Sequence, residues 1–200
     1  MNIAILGAGN VGASLGGVWS AKGHRVVYGV RNPADPKYAT LNTATPAEAA
    51  RTAEVVVLAT PWPATKDAIE GAGGLAGKIV LDATNPLEGL KLAVGFTDSG
   101  GEMVARWAPG ARVVKIFNST GNNNMENTAY PGGTPAMFYA GDDAAAKSAA
   151  AQLAADLGFE PVDAGPLTNA RLLEPLALLW IDQAFFRGRG REFAIALLKR

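Results

Sequence analysis

"AILGAGNVGASLG", residues 4–16, decides how the rest of the chain is read. Gly7, Gly9 and Gly12 stand at G-x-G-x-x-G spacing, with Ala8, Asn10 and Val11 between them. The apolar run before them, "NIAIL" at 2–6, reads as a strand, and the residues after Gly9 read as a helix. At such a junction the first glycine permits a tight turn and the second lets the backbone approach a pyrophosphate. The third lets helix and strand pack closely. The amides that open the helix at Asn10 and Val11 then face the phosphates, and the helix dipole favours their charge. A glycine-rich turn that binds nothing would share the spacing. Context favours the phosphate reading, because a strand precedes the turn, a helix follows it and a second strand comes within about thirty residues.

Outward from this turn, short apolar runs bounded by Gly, Pro, Asn or Asp recur at 2–6, 25–29, 54–59, 78–83, 112–117, 136–140 and 159–163. They have the character of strands covered on both faces. Helices are expected between them at 10–22, 46–52, 62–72, 100–107, 143–157 and 166–186. Thr45, Pro46 and Glu48 form a capping box with proline at the first helical position. Asp142 or Asp143 can cap the alanine-rich helix that Gly158 closes. Strand and helix in repeated order imply an α/β chain, a Rossmann-type doubly wound and mostly parallel sheet with helices on both faces.

Residues 165–200 differ in character. "PLTNARLLEPLALLWIDQAFF" is apolar nearly all round, so it should be buried against another surface. Pro175 should break or kink it near Glu174. The tail "REFAIALLKR" suits a strand better than a short helix. The chain therefore divides into a dinucleotide-binding unit, 1–164, and a C-terminal helical extension, 165–200, packed on that unit or at a homodimer interface.

Composition narrows the function classes. Eighteen basic and eighteen acidic residues leave no net charge, which argues against a nucleic-acid or anionic-membrane surface. Cysteine is absent, so thiol nucleophiles, thiolate metal sites and disulfides are excluded. No signal peptide or apolar span of sufficient length is visible, so a cytoplasmic protein is expected.

The second decisive stretch is "HRVVYGVRNPAD", residues 24–35. An NAD site usually ends its second strand with Asp or Glu, which accepts hydrogen bonds from the adenosine ribose. Here Gly29, Val30 and Arg31 supply no carboxylate. A guanidinium at that place binds a 2′-phosphate through charge-assisted hydrogen bonds, so NADP(H) is expected with Arg31 and Asn32 as its contacts and Lys37 as a distant attraction. Asp35 lies beyond the Asn-Pro turn, misplaced for a ribose. Arg31 as a merely solvated loop residue is the bland alternative.

Two further strands run into "LATPW" and "DATNPL". Ligands of open α/β sheets sit outside the carboxyl ends of the strands, so Thr60, Pro61 and Asn85 are expected at the nicotinamide half. Trp62 either walls the pocket or covers the sheet. The polar loop "VKIFNSTGNNNMENTAYPGG" offers Asn118, Ser119, Asn122 and Asn124 as contacts to a second, small-molecule ligand; an irregular capped loop is an equal alternative. The lone histidine, His24, enters the second strand at the end remote from this edge. Lys115, Tyr130, Glu126 and Asp182 are open candidates for proton transfer, and no spacing singles one out. Hydride transfer between two redox cofactors needs ring stacking and orientation more than a dedicated acid.

At "GAGNVGASLG", "GVRNP", "LATPW", "DATNPL", "VKIFNSTG" and "AGPLTNARLLEPLALLWI" the chain resembles the coenzyme F420-dependent NADP oxidoreductase family. That family is related to the cytosolic domain of the STEAP metalloreductases. The resemblance covers almost the whole chain. It implies NADP along Gly7–Gly12 with Arg31 at the 2′-phosphate, often a homodimer, and hydride exchange with a deazaflavin (F420) or a flavin such as FMN or FAD. Two departures stand out: Val30 replaces a serine common before the arginine, and no histidine stands in the second-ligand region. Two other readings stay open: a module that holds NADP without turnover, and a reductase of small carbonyl compounds using Lys115 or Tyr130.

Overall fold

The computed structural model describes residues 1–198 and 200. In chain order it contains β1 (Asn2–Leu6), α1 (Asn10–Ala21), β2 (Arg25–Gly29), β3 (Thr43–Ala44), α2 (Pro46–Arg51) and β4 (Val55–Leu58). There follow α3 (Thr65–Gly71), β5 (Ile79–Asp82), a hairpin of β6 (Leu87–Glu88) and β7 (Lys91–Leu92), α4 (Gly100–Trp107) and β8 (Arg112–Lys115). The chain continues with α5 (Asn122–Glu126), β9 (Ala136–Gly141), α6 (Ala144–Asp156), β10 (Glu160–Asp163) and α7 (Ala170–Phe185).

Among the described residues, eight strands form one sheet in the order β10-β9-β8-β5-β4-β1-β2-β3. The pairings are parallel except that of β8 with β9. The chain leaves β1 towards β2 and β3, then returns to its other side at β4. This reversal is the topological switch point of a doubly wound sheet. Register aligns Leu6 with both Gly29 and Leu58, Leu58 with Asp82, and Asp82 with Lys115. The loops after β1, β2, β4, β5 and β8 therefore open on one edge.

Alternation along the strands builds two apolar layers. Ile3, Ile5, Val55, Val57, Leu81 and Val114 face α1 and α6, where Leu15, Trp19 and Leu153 are buried. Ala4, Leu6, Val56, Leu58, Val80 and Val113 face the other side, with Ala49 of α2, Ile69 of α3 and Val104 of α4. Each large side chain so buried contributes roughly 1.5–3 kcal/mol. Trp19 sits edge-on to Phe117 at 5.5 Å and donates its indole N–H to Leu153 O. The capping box at Thr45 and Glu48 and the Asp143 cap of α6 form as the sequence indicates.

Two expectations for the C-terminal region, a break at Pro175 and a strand in the tail, fail. Pro175 does not break α7, which runs through it. The turn around it is anchored from outside: Glu174 is buried and accepts the Gly100 and Gly101 N–H groups at the start of α4. These bonds, with Ala177 and Trp180 buried below, offset the roughly 3 kcal/mol that an interior proline costs. The tail does not form the expected strand. Apart from Lys199, which lies outside the described residues, it runs as an irregular strap. Phe193 stacks on Trp180 at 5.2 Å, and Ile195 O accepts the Ala136 N–H. The carbonyls of Arg191 and Phe193 serve asparagine and indole donors, and no sheet ladder forms along it.

Candidate functional site

Gly7 follows β1 with φ +106, a left-handed conformation, and donates its N–H to Gly29 O at 3.1 Å. A Cβ at Gly7 would stand 2.6 Å from Ala59 O, and one at Gly12 would stand 2.2 Å from Gly7 O. Both positions demand glycine for close backbone packing. Gly9 differs: a Cβ there meets nothing within 4 Å, so the space above it is open. Gly9 is also the N-cap of α1, which has no side-chain cap and no acid in its first turn. Its leading amides lack intrahelical acceptors and suit an anion. The free space is where a pyrophosphate would approach the backbone, so the turn fits the dinucleotide its spacing implies.

A cavity of about 490 Å³ opens at the switch point. This lies within the roughly 300–1,000 Å³ usual for small-molecule sites. Gly7, Ala8 and Gly9 form its floor, with Gly29, Val30 and Arg31 on one side and Ala59, Thr60 and Pro61 on the other. Arg31 is exposed, and among the described residues no carboxylate engages its guanidinium. Asp35 is occupied elsewhere: it lies 3.0 Å from Lys37 Nζ and accepts the Lys37 N–H. Hydrogen bonds from Lys37 hold the Asp35 carboxyl below its ordinary pKa. Lys37 is correspondingly committed to Asp35 and to the Tyr38 ring.

The cavity does not gather every expected residue. Asn10, Val11, Gly12, Asn32 and Asn85 do not line it, nor do Asn118, Ser119, Asn122 and Asn124. Thr60 lines it, while its hydroxyl is 3.0 Å from that of Thr65. Trp62 turns away, packing against Trp107 at 5.2 Å beside the layer formed by α2, α3 and α4. Asn85 and Asn118 form an amide pair: Asn85 Nδ2 donates to Asn118 O and Asn118 Nδ2 donates to Asn85 Oδ1.

The polar loop after β8 is largely held by its own chain. Phe117 takes φ +62, rare for a bulky residue, and its ring is buried on Trp19. Asn118 donates also to Leu173 O, and Ser119 is buried. Asn122 donates to Ser14 Oγ and accepts from Arg191, while Asn124 donates to Thr120 Oγ1 and Phe193 O. The C-terminal strap thus supplies much of what these asparagines bond. Asn118 Oδ1 is buried without a partner among the described residues.

The four proton-transfer candidates also have places. Lys115 is fully buried, 2.9 Å from Asp82 Oδ2 and 3.0 Å from Glu174 Oε1, and donates to Thr84 O. Burial disfavours its charge, but the two carboxylates outweigh that and raise its pKa above the ordinary lysine value. Its ammonium is thus held by three acceptors inside the fold. Glu126 accepts from Ser14, Asp182 pairs with Arg187, and burial together with Glu192 pushes the Tyr130 hydroxyl up. None of the four lines the cavity. His24 pairs with Asp156 at 3.0 Å, away from this edge.

Sequence reading missed the cavity's other wall: Tyr38, Pro46, Ala64, Asp67, Ala68 and Gly71. The last four recur at intervals of three and four, the mark of one helical face, and that spacing could have revealed them. Among the described residues no cluster of three or more His, Cys, Asp or Glu could hold a metal ion, and no helix is long and apolar enough to cross a membrane.

Residues 2–86 match the family described as NADP oxidoreductase, coenzyme F420-dependent. The F420-dependent NADP reductase of Methanothermobacter marburgensis is 30% identical, over 91% of this chain and 92% of that protein. The rat metalloreductase STEAP3 is 32% identical over 88% of this chain, which spans only 37% of that longer protein. A crystal structure of an Arthrobacter sp. FB24 protein, provisionally named an F420-dependent NADP reductase, superposes with a TM-score of 0.91 at 34% identity. It covers both chains in full.

Proposed function

The chain belongs to the coenzyme F420-dependent NADP oxidoreductase family, and from that premise we propose that it exchanges hydride between NADP(H) and a deazaflavin (F420) or flavin acceptor. The observation that carries the reading is Arg31, unpaired at the rim of the glycine-floored cavity, with no acid at the end of β2. In this reading Gly7, Ala8, Gly9, Asn10, Val11 and Gly12 hold the pyrophosphate, and Arg31 and Asn32 hold the 2′-phosphate. Thr60, Pro61 and Asn85 border the nicotinamide half. Bound there, the nicotinamide supplies the hydride.

The chain's own contribution is then orientation and exclusion of water. The amide pair of Asn85 and Asn118 fixes two loops against each other on the edge where two rings would stack. The acceptor is assigned to the side of Asn118, Ser119, Asn122 and Asn124. Since most of their side-chain groups are already bonded within the chain, they act chiefly as a wall, and shape more than polar contact selects the ring. Residues 165–200 are assigned as an arm that joins two copies in a homodimer, and the cytoplasm is the assigned compartment.

Replacing Arg31 with serine tests the cofactor. A charge-assisted hydrogen bond contributes one to two decades in affinity, so R31S should weaken NADPH binding about 10- to 100-fold and NADH binding by less than about threefold. Calorimetric titration of both nucleotides reads the ratio, and equal losses would refute the assignment. NADPH oxidation against F420, FMN, FAD and ferric chelates reads the acceptor. Tight NADPH binding with no oxidation by any of them would favour the reading as a module that holds NADP without turnover, which the internally bonded asparagine loop also suits.

A further inference from the structure

The glycine turn and Arg31 leave one wall of the cavity without a task. Ala64, Asp67, Ala68 and Gly71 share one face of the helical segment that ends in α3, and all four line the cavity. Three of them carry a methyl group or a hydrogen; the fourth carries a carboxylate. Asp67 is exposed, and among the described residues neither an ion pair nor a hydrogen bond engages it. It makes no ion pair with Arg31 although both border the same space. The topology explains why: Arg31 follows β2 and α3 follows β4, and these strands flank β1 on opposite sides.

A free carboxylate in a cavity that receives phosphates is unfavourable unless the ligand offers it a donor. An ionised carboxylate only accepts. The phosphates also only accept, so the partner must be a ribose hydroxyl, the amino group of a base or, at the other end of the ligand, the nicotinamide carboxamide. Asp67 lines the same cavity as Arg31, which favours the adenosine end. Ala59 abuts the glycine turn, as the 2.6 Å approach to a Cβ on Gly7 shows. The α3 face follows Ala59 further along the chain. Ala64, Ala68 and Gly71 leave a shallow wall, and Tyr38 and Pro46 also line the space, a slot suited to a flat ring.

We propose that Asp67 is a specificity residue that reads the adenine of the nucleotide by accepting a hydrogen bond from its 6-amino group. The inference rests on the reading of this cavity as an NADP(H) site. Hypoxanthine replaces that amino donor with a carbonyl acceptor, which turns an attraction into a repulsion. A hydrogen bond to a charged acceptor corresponds to about tenfold or more in affinity.

The test is calorimetric binding of NADP, its hypoxanthine analogue (deamino-NADP) and NAD to the wild type, D67N and D67A. The wild type should bind NADP about tenfold or more tighter than deamino-NADP. In D67N, whose amide can donate as well as accept, that preference should fall to within about threefold while the NADP-to-NAD ratio stays unchanged. The melting temperature should fall by no more than a few degrees, because Asp67 has no side-chain partner and loses only its place as the acid in the first turn of α3, and D67A should behave likewise. Undiminished discrimination against deamino-NADP in both variants would overturn the proposal. A change in the NADP-to-NAD ratio alone would overturn it in favour of a ribose contact. Failure of the wild type to prefer NADP over NAD would instead strike the cofactor assignment, a separate result from failure to discriminate between the bases.

Discussion

At the residue scale, the three glycines of one motif answer to different constraints, and this can be measured. Gly12→Ala places a methyl 2.2 Å from Gly7 O, where neither backbone can yield cheaply. Such overpacking costs about 1–3 kcal/mol, so G12A should lower the urea midpoint markedly. Gly9→Ala adds a methyl to open space, and its φ of −77 suits any residue. G9A should keep stability within about 0.5 kcal/mol but weaken NADPH binding, because the methyl enters the approach to the phosphates. Equal effects of the two variants on stability would refute the division of labour. These residues were legible in the sequence because a G-x-G-x-x-G turn is local chemistry: its spacing alone states which backbone atoms must meet. Arg31 was legible for the same reason, as the residue after a recognisable strand. Tyr38 and Pro46 were not, since the cavity they share with Asp67 arises only when α3, the loop after β2 and α2 are brought together by the sheet.

At the scale of elements, short apolar runs bounded by Gly, Pro, Asn or Asp predicted the main strands, and the apolar C-terminal stretch is the helix it was expected to be. The effect of Pro175 and the form of the tail were misread. Periodicity and proline rules describe isolated segments. Pro175 survives in α7 because Glu174, one residue earlier, is held by two α4 amides and by Lys115. The tail reads as a strand by alternation, yet the carbonyls of Arg191, Phe193 and Ile195 are taken by Asn123, Asn124, Trp180 and Ala136. The junction of α4 and α7 has a second tie, Arg171 Nη2 to Glu102 Oε1 at 2.6 Å, with Nε also bonded to that carboxylate. Hydrogen bonding from Arg171 lowers the Glu102 pKa from its ordinary 4.5, while burial opposes the shift. A depressed carboxylate stabilises the fold above its unfolded pKa, and the contribution fades as pH falls through the folded one. Arg171→Met should therefore lower the urea midpoint modestly near pH 7, because the arginine is a third exposed and solvent screens the pair. The gap between wild-type and variant urea midpoints should close as pH falls below 4.5 towards 3. A gap constant down to pH 3 would mean that Arg171 acts through packing alone.

At the scale of the whole molecule, the cavity and the apolar arm occupy different surfaces, so affinity and assembly should separate. No residue of α7 lines the cavity at the glycine turn. Yet α7 leaves Leu172 66% and Leu179 56% exposed, with Phe186 at 56% just past its end. These positions recur at seven residues, one stripe of the helix. Leu90 of the hairpin, Pro175, Leu178, Leu179 and Asp182 border a shallow groove beside it, and Asp182 pairs with Arg187. Exposed apolar surface rimmed by charged groups marks an interaction site in a folded protein. A two-fold pairing would let each copy's stripe cover the other's, since such an interface uses the same patch twice. Replacing Leu172 and Leu179 with glutamate puts like charges across that contact without touching the sheet or the glycine turn. The double variant should therefore elute with the mass of one chain by light scattering, with unchanged far-ultraviolet circular dichroism and NADPH affinity within about twofold. A wild type that is already monomeric at micromolar concentration would remove the dimer. A loss of NADPH affinity in step with dissociation would instead show that the second copy completes the site, and that the separation of cavity from arm is only apparent within one chain.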